Sequence, residues 1–182
     1  MQKYSGFAIA ALLGSEVSML KRDMQGCIKE AHKANYAVAK YLPHVTAVHD
    51  IPAWKILQFM SQLPTKKLDI GIKDLQVLHP RDGNFDVLAF SIDSTEIESV
   101  NYDLSGYLNT FQHYEFKPHV TIDFVCKEVS HLYESMDAFD GMEIPGGLET
   151  KGWVLYTPTG EQIVASVYND NADLIQYVEE AA

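Results

Sequence analysis

Pro43-His44-Val45-Thr46 and Pro118-His119-Val120-Thr121 are one tetrapeptide written twice, and together they hold two of the chain's seven histidines. Val45 to Val48 continues the first copy and Val120 to Val125 the second, both as strand-forming runs. In a strand, residues i and i+2 share a face and the rise is roughly 3.3 Å per residue. His44 therefore shares a face with Thr46, and His119 with Thr121. Val45, Ala47, Val120, Ile122 and Phe124 are expected to face a core. An imidazole and a hydroxyl spaced about 6–7 Å at their Cα atoms can converge on one tetrahedral phosphate. With the two strands side by side, two such couples would meet across it.

Working outward, Gly6 to Leu13 reads as a buried first strand. Ser15 is the expected N-cap of a helix whose apolar stripe is Val17, Leu20, Met24, Ile28 and Ala31. Pro52 opens a second helix, with Trp54, Leu57, Met60 and Leu63 as its inner face and Pro64 at its end. Leu68 to Leu78 and Phe85 to Ile92 read as strands around the turn Pro80-Arg81-Asp82-Gly83-Asn84. Thr95 and Glu98 have capping-box spacing. A third helix follows through Ile97, Val100, Leu104, Tyr107, Leu108 and Phe111. After the second motif come a short helix, about Glu128 to Ala138, and a hairpin of Trp153–Tyr156 and Gln162–Tyr168. Its turn, Thr157-Pro158-Thr159-Gly160, carries Pro and Gly where a type I turn favours them. No Gly-, Pro- or Ser-rich linker divides the two halves. The expectation is a single two-lobed α+β domain over 1–169, with an acidic tail or short helix over 170–182.

Composition bounds the function. A chain of 182 residues with 47% hydrophobic content can bury a substantial core. No apolar run reaches the roughly 20 residues that span a bilayer, and the N-terminus lacks the pattern of a signal peptide. Cys27 and Cys126 match no metal or disulfide framework, which favours a reducing cytoplasm. The net charge of −11, from 25 acidic and 14 basic residues, leaves little with which to line the basic face that long nucleic acids require. A small ligand with one to three phosphates needs only local donors. The same acidity serves equally well as simple solubility.

The repeated motif suits in-line phosphoryl chemistry. One neutral imidazole takes a proton from the attacking oxygen, and the other, protonated, gives one to the leaving oxygen. Threonine hydroxyls can donate to the non-bridging oxygens. Neither role calls for a metal or other cofactor, and no Cys or Glu sits at familiar ligand spacing around His44, His119 and Asp123. The alternative is ordinary strand composition. Two copies, each after Pro and each in a strand-like run, argue against it.

With Phe116-Lys117-Pro118-His119-Val120-Thr121-Ile122 and Pro43-His44-Val45-Thr46, the chain resembles the 2H phosphoesterase superfamily over most of its length. The resemblance implies a bilobal fold: two pseudo-symmetric lobes of antiparallel sheet, with flanking helices, around a central cleft. It also implies a metal-independent phosphodiesterase whose catalytic residues are His44, Thr46, His119 and Thr121. The wording of the second motif looks closest to phage-encoded members such as anti-CBASS nucleases, which degrade cyclic di- and trinucleotide signals. That implies a small cyclic nucleotide or oligonucleotide as substrate, a monomer, no membrane partner, and the cytoplasm of a bacterial host. A 2′,3′-cyclic phosphodiesterase acting on RNA ends or mononucleotides is the enzyme alternative. A protein that only sequesters a cyclic nucleotide is the non-enzymatic one, and a structural protein retaining the fold is a further one. His49-Asp50 departs from the apolar-aromatic continuation expected after the first motif.

Around the motif, Trp153 can stack a nucleobase or serve as core. Lys117 and Lys151 can offset phosphate charge or lie solvated. Glu143 and Glu149 can read the amino edge of a purine, and Asp123 is expected on the His119 face. Tyr4, Tyr156 and Tyr168 are weaker candidates for ligand contact. His32, His79, His113 and His131 show no ligand-like partners, and His49 is expected to end its strand on the core side.

Overall fold

Eight strands make two four-stranded antiparallel sheets in the computed structural model, which describes residues 6–34, 42–80, 83–108, 115–134 and 144–167. In chain order the strands are β1 (Phe7–Leu12), β2 (His44–Ile51), β3 (Asp69–Leu78), β4 (Phe85–Asp93), β5 (His119–Cys126), β6 (Leu148–Glu149), β7 (Gly152–Tyr156) and β8 (Gln162–Val167). The helices are α1 (Ser15–Cys27), α2 (Ile56–Met60), α3 (Thr95–Leu108) and α4 (Lys127–Glu134). One lobe has the strand order β2-β1-β7-β8 and the other β5-β4-β3-β6. Each motif strand is thus the edge of its own sheet, and the edges β2 and β5 lie against each other.

The two lobes repeat one unit, strand–helix–motif strand: β1-α1-β2 and β4-α3-β5. The helices cross over. α1 packs against β5 and α3 against β2, so each lies under the motif strand of the opposite lobe. The back faces of both sheets share one core. Ile9, Val45 and Trp153 meet Phe90, Val120 and Ile122 there, over Val17, Leu20 and Met24 of α1 and Ile97, Val100 and Leu104 of α3. The front faces carry the histidines and smaller apolar clusters, Ala8, Ala10, Leu12, Val154 and Tyr156 in one lobe and Phe85, Val87 and Ala89 in the other.

Some details depart from the sequence reading. α1 begins at Ser15 with Gly14 as its N-cap and no side-chain cap, so Ser15 lies inside the helix. α3 is capped one residue earlier than expected, by Ser94, whose Oγ accepts the Ile97 N–H at 3.3 Å. The second helix is short and rotated. Phe59 fills the core, while Trp54 and Leu57 are 78% and 85% exposed. Pro52 caps a 3-10 turn over Ala53–Lys55 that precedes α2, so Trp54 belongs to that tighter turn and not to the α-helix. The hairpin turn is as expected: the Gly160 N–H donates to Thr157 O at 2.9 Å, and Gly160 has φ 86°. Phe111, Tyr168, the end of the fourth helix and the acidic tail fall outside the described residues.

Candidate active site

Both motif histidines are fixed in the same way. The His44 Nδ1–H donates to the carbonyl of Leu42 at 2.7 Å, and the His119 Nδ1–H to the carbonyl of Lys117 at 2.9 Å. Each acceptor is two residues upstream, with proline between. A residue before proline is confined to extended conformations and proline fixes its own φ, so the bracket is rigid. Pro43 O and Pro118 O are in turn pinned by the N–H groups of Leu13 and Ile92, both at 2.9 Å. With Nδ1 committed to a carbonyl, each neutral ring carries its lone pair on Nε2, the nitrogen able to work as acid or base.

The two rings are near enough for the charge of His119 to act on His44. Thr46 from the first motif and His119 from the second line one cavity of about 220 Å³, with His49, Leu78, Phe116 and Lys117 among its other walls. Neither threonine hydroxyl has a hydrogen-bond partner among the described residues. Each is therefore available to an incoming oxygen.

Both rings are less basic than a free imidazole. Burial pulls His44 down to about 4, against the Leu42 carbonyl bond, and the charges of Lys21 and His119 push the same way. Burial also holds His119 below its ordinary value, opposed by the Lys117 carbonyl. Tyr156 stands on one side only. Its ring centroid is 4.7 Å from that of His44, its oxygen is 2.9 Å from His44 Nδ1, and it donates to Gln162 Oε1 at 2.9 Å. The phenol oxygen thus shares the Nδ1 proton with Leu42. Tyr156→Phe should keep the packing and lose that acceptor, lowering the His44 pKa further and reducing turnover about 3- to 10-fold, the range of one neutral hydrogen bond. An NMR titration of His44 checks this; an unmoved midpoint would leave the phenol as packing alone.

Both motif strands bulge at the same place. Thr46 and Val48 oppose the adjacent residues Ala10 and Ile9, so Ala47 is an extra residue. Thr121 and Asp123 oppose Ala89 and Leu88, so Ile122 is another. A bulge reverses the alternation beyond it, which corrects three expectations. Asp123 is 7% exposed and turned to the back face, not the His119 face. There burial raises its pKa, opposed first by the Phe124 N–H that it accepts at 2.8 Å. Phe124 comes to the front, edge-on to Phe85. His49 also comes to the front and into the cavity, its Nδ1 2.6 Å from the carboxylate of Asp50, whose φ of 60° is left-handed.

Lys21 was invisible to motif reading. It lies on α1 beneath the seam, 7% exposed, and burial lowers its pKa to about 8 while Asp123 pulls it back. A lysine in the apolar stripe of a helix, one turn before Gln25, is the only trace it leaves in the sequence.

The outer candidates separate. Lys117 is on the cavity wall and 3.5 Å from Glu115. Lys151 is half-buried beside Gly14, at the end of β1 that pairs with His44. Trp153 is fully buried, and its indole N–H donates to Pro64 O at 3.1 Å. It is core and cannot stack a base. Glu149 pairs with Lys67 at 3.5 Å on β6, at the edge of its sheet farthest from β5 and roughly 14 Å away by strand spacing. It does not reach the histidines. His79 has partners after all, Asp86 at 3.1 Å and Glu134 at 3.5 Å, and His32 Nδ1 lies 2.9 Å from the Tyr133 hydroxyl. Tyr4, His113 and Glu143 lie outside the described residues.

Solved structures share this fold. TT0787 of Thermus thermophilus superposes with a TM-score of 0.52 at 14% identity, over 90% of this chain and 96% of that one. Usb1 of Kluyveromyces marxianus gives 0.55 at 10% identity, over 89% and 97%. Usb1 with uridine monophosphate gives 0.58 at 10%, over 89% and 97%. No family model and no curated protein matches the sequence. The architecture is bilobal and 2H-phosphoesterase-like, as the motif pair implied, and at these identities the likeness is one of fold.

Proposed function

We propose that this protein is a 2H-type phosphodiesterase that breaks a phosphodiester beside a ribose 2′-hydroxyl, on a small nucleotide or at an RNA end. The observation that carries this is the pair of imidazoles, one from each lobe, each tethered through Nδ1 so that Nε2 is the ring nitrogen left to react, with Thr46 and His119 on the wall of one cavity. His44, the ring on which the Lys21 charge acts against protonation, is the base: its Nε2 takes the 2′-hydroxyl proton as that oxygen bonds to phosphorus. His119 is the acid: its Nε2–H passes to the 5′ oxygen as the P–O5′ bond breaks. A 2′,3′-cyclic phosphate and a 5′-hydroxyl result. Water can then open the ring with the two roles exchanged. Thr46 and Thr121 donate to the non-bridging oxygens.

An RNA end or 2′,3′-cyclic nucleotide is supported by a neighbour of this fold, Usb1, with uridine monophosphate. The second motif's wording and the net charge of −11 support a small cyclic oligonucleotide, as in phage evasion of bacterial immunity. Incubation with cyclic di- and trinucleotides, 2′,3′-cyclic mononucleotides and short RNAs, with products separated by chromatography, decides between them. Turnover should survive EDTA. Loss on chelation, restored by a divalent cation, would overturn the two-histidine mechanism.

The pH profile follows from the two rings. The reactive form has His44 neutral and His119 protonated. Burial lowers both rings, His44 to about 4 and His119 below its ordinary value, so this form is lost as His119 gives up its proton. kcat/KM should therefore peak on the acid side of 6.5, the pair titrating as a unit. The bound phosphate favours both imidazolium forms, so the kcat profile should lie higher. A kcat/KM still climbing at pH 8 would sink the assignment.

A further inference from the structure

The extra residue of a bulge leaves its backbone outside the ladder, and on an edge strand its carbonyl needs a partner from elsewhere. Both motif bulges have one, and in both it is a carboxamide from the opposite lobe. Gln25 Nε2 on α1 donates to Ile122 O of β5 at 2.7 Å. Asn101 Nδ2 on α3 donates to Ala47 O of β2 at 2.7 Å. Ala47 and Ile122 are equivalent positions, each third after its histidine. The contacts are thus one contact made twice, across the pseudo-twofold that relates the lobes. The front-face placement of Thr46 and Thr121 depends on where each strand bulges.

We infer that Gln25 and Asn101 are reciprocal positioning residues: each reaches from one lobe to hold the bulge that aims the His-Thr couple of the other. Neither touches substrate. They set the register of the seam, and with it the separation of the two Nε2 atoms, on which an in-line transfer depends steeply. The catalytic part of the inference rests on the phosphodiesterase reading; the cross-lobe tie does not.

Gln25→Met keeps length and removes the donor, and Asn101→Ala removes it at the more buried site. Amide hydrogen exchange should accelerate crosswise: around 121–124 in β5 for Gln25→Met, and around 46–49 in β2 for Asn101→Ala. kcat should fall about 10- to 100-fold, with KM within threefold. Gln25→Asn, retaining a shorter donor, should recover part of the loss. Exchange confined to the substituted helix's own lobe, or unchanged, would overturn the tie. Crosswise exchange with kcat intact would overturn the positioning role. Should Asn101→Ala fail to fold, Gln25→Met on the half-buried face decides alone. If the wild-type protein turns over nothing in the substrate panel, the phosphodiesterase reading fails, and exchange still judges the tie.

Discussion

Turnover should fall about 10²- to 10⁴-fold when either His44 or His119 is replaced by alanine, the usual contribution of a positioned acid or base. The two losses should not add. On the proposed mechanism each ring completes one proton path through the same transition state, so the double variant should be little worse than either single one. Neither substitution should unfold the protein, because both rings stand on the front face and their Nδ1 bonds are made to local carbonyls. Steady-state rates on the best panel substrate, beside thermal melts, provide the measurement. Either alanine variant working within threefold of wild type would end the acid–base proposal.

Trp153→Ala should cost about 3–5 kcal/mol of stability, as expected for removing a fully buried indole. Trp153 has 0% exposure and lies on β7, between β1 and β8 in the first sheet. Its loss would open a cavity in the core and leave Pro64 O without the indole N–H. Urea unfolding reads the effect. Nucleotide affinity of the fraction that remains folded should be unchanged. A variant of wild-type stability with weakened nucleotide binding would instead return the ring to the ligand site.

The motif strands, the helix stripe of α1 and the late hairpin were legible because each rests on local rules: period two, period 3.6, and the turn preferences of Pro and Gly. The phase beyond Thr46 and Thr121 was not, because a bulge is set by the partner strand's register and has no reliable mark in a single strand. Asp123, Phe124 and His49 were misplaced for that one reason. Tyr156 read as a weak candidate because nothing local ties it to His44, which lies two strands away across β1. The second helix was read half right: Met60 and Leu63 pack on the core as their spacing implied, whereas Leu57, and Trp54 in the preceding turn, face solvent. Gln25 and Asn101 carry no local signal at all. Their meaning appears only once the helices are seen to cross.

That crossing also bears on the order of assembly. α1 is made early, yet the strand it covers, β5, is made about 100 residues later. Until β5 arrives, part of the inner face of α1 has nothing to lie on, and β1 likewise waits for β7, its neighbour in the sheet. A half-synthesised chain is therefore not a small finished protein. The lobes are interlocked rather than merely adjacent, and they should melt together as one cooperative unit.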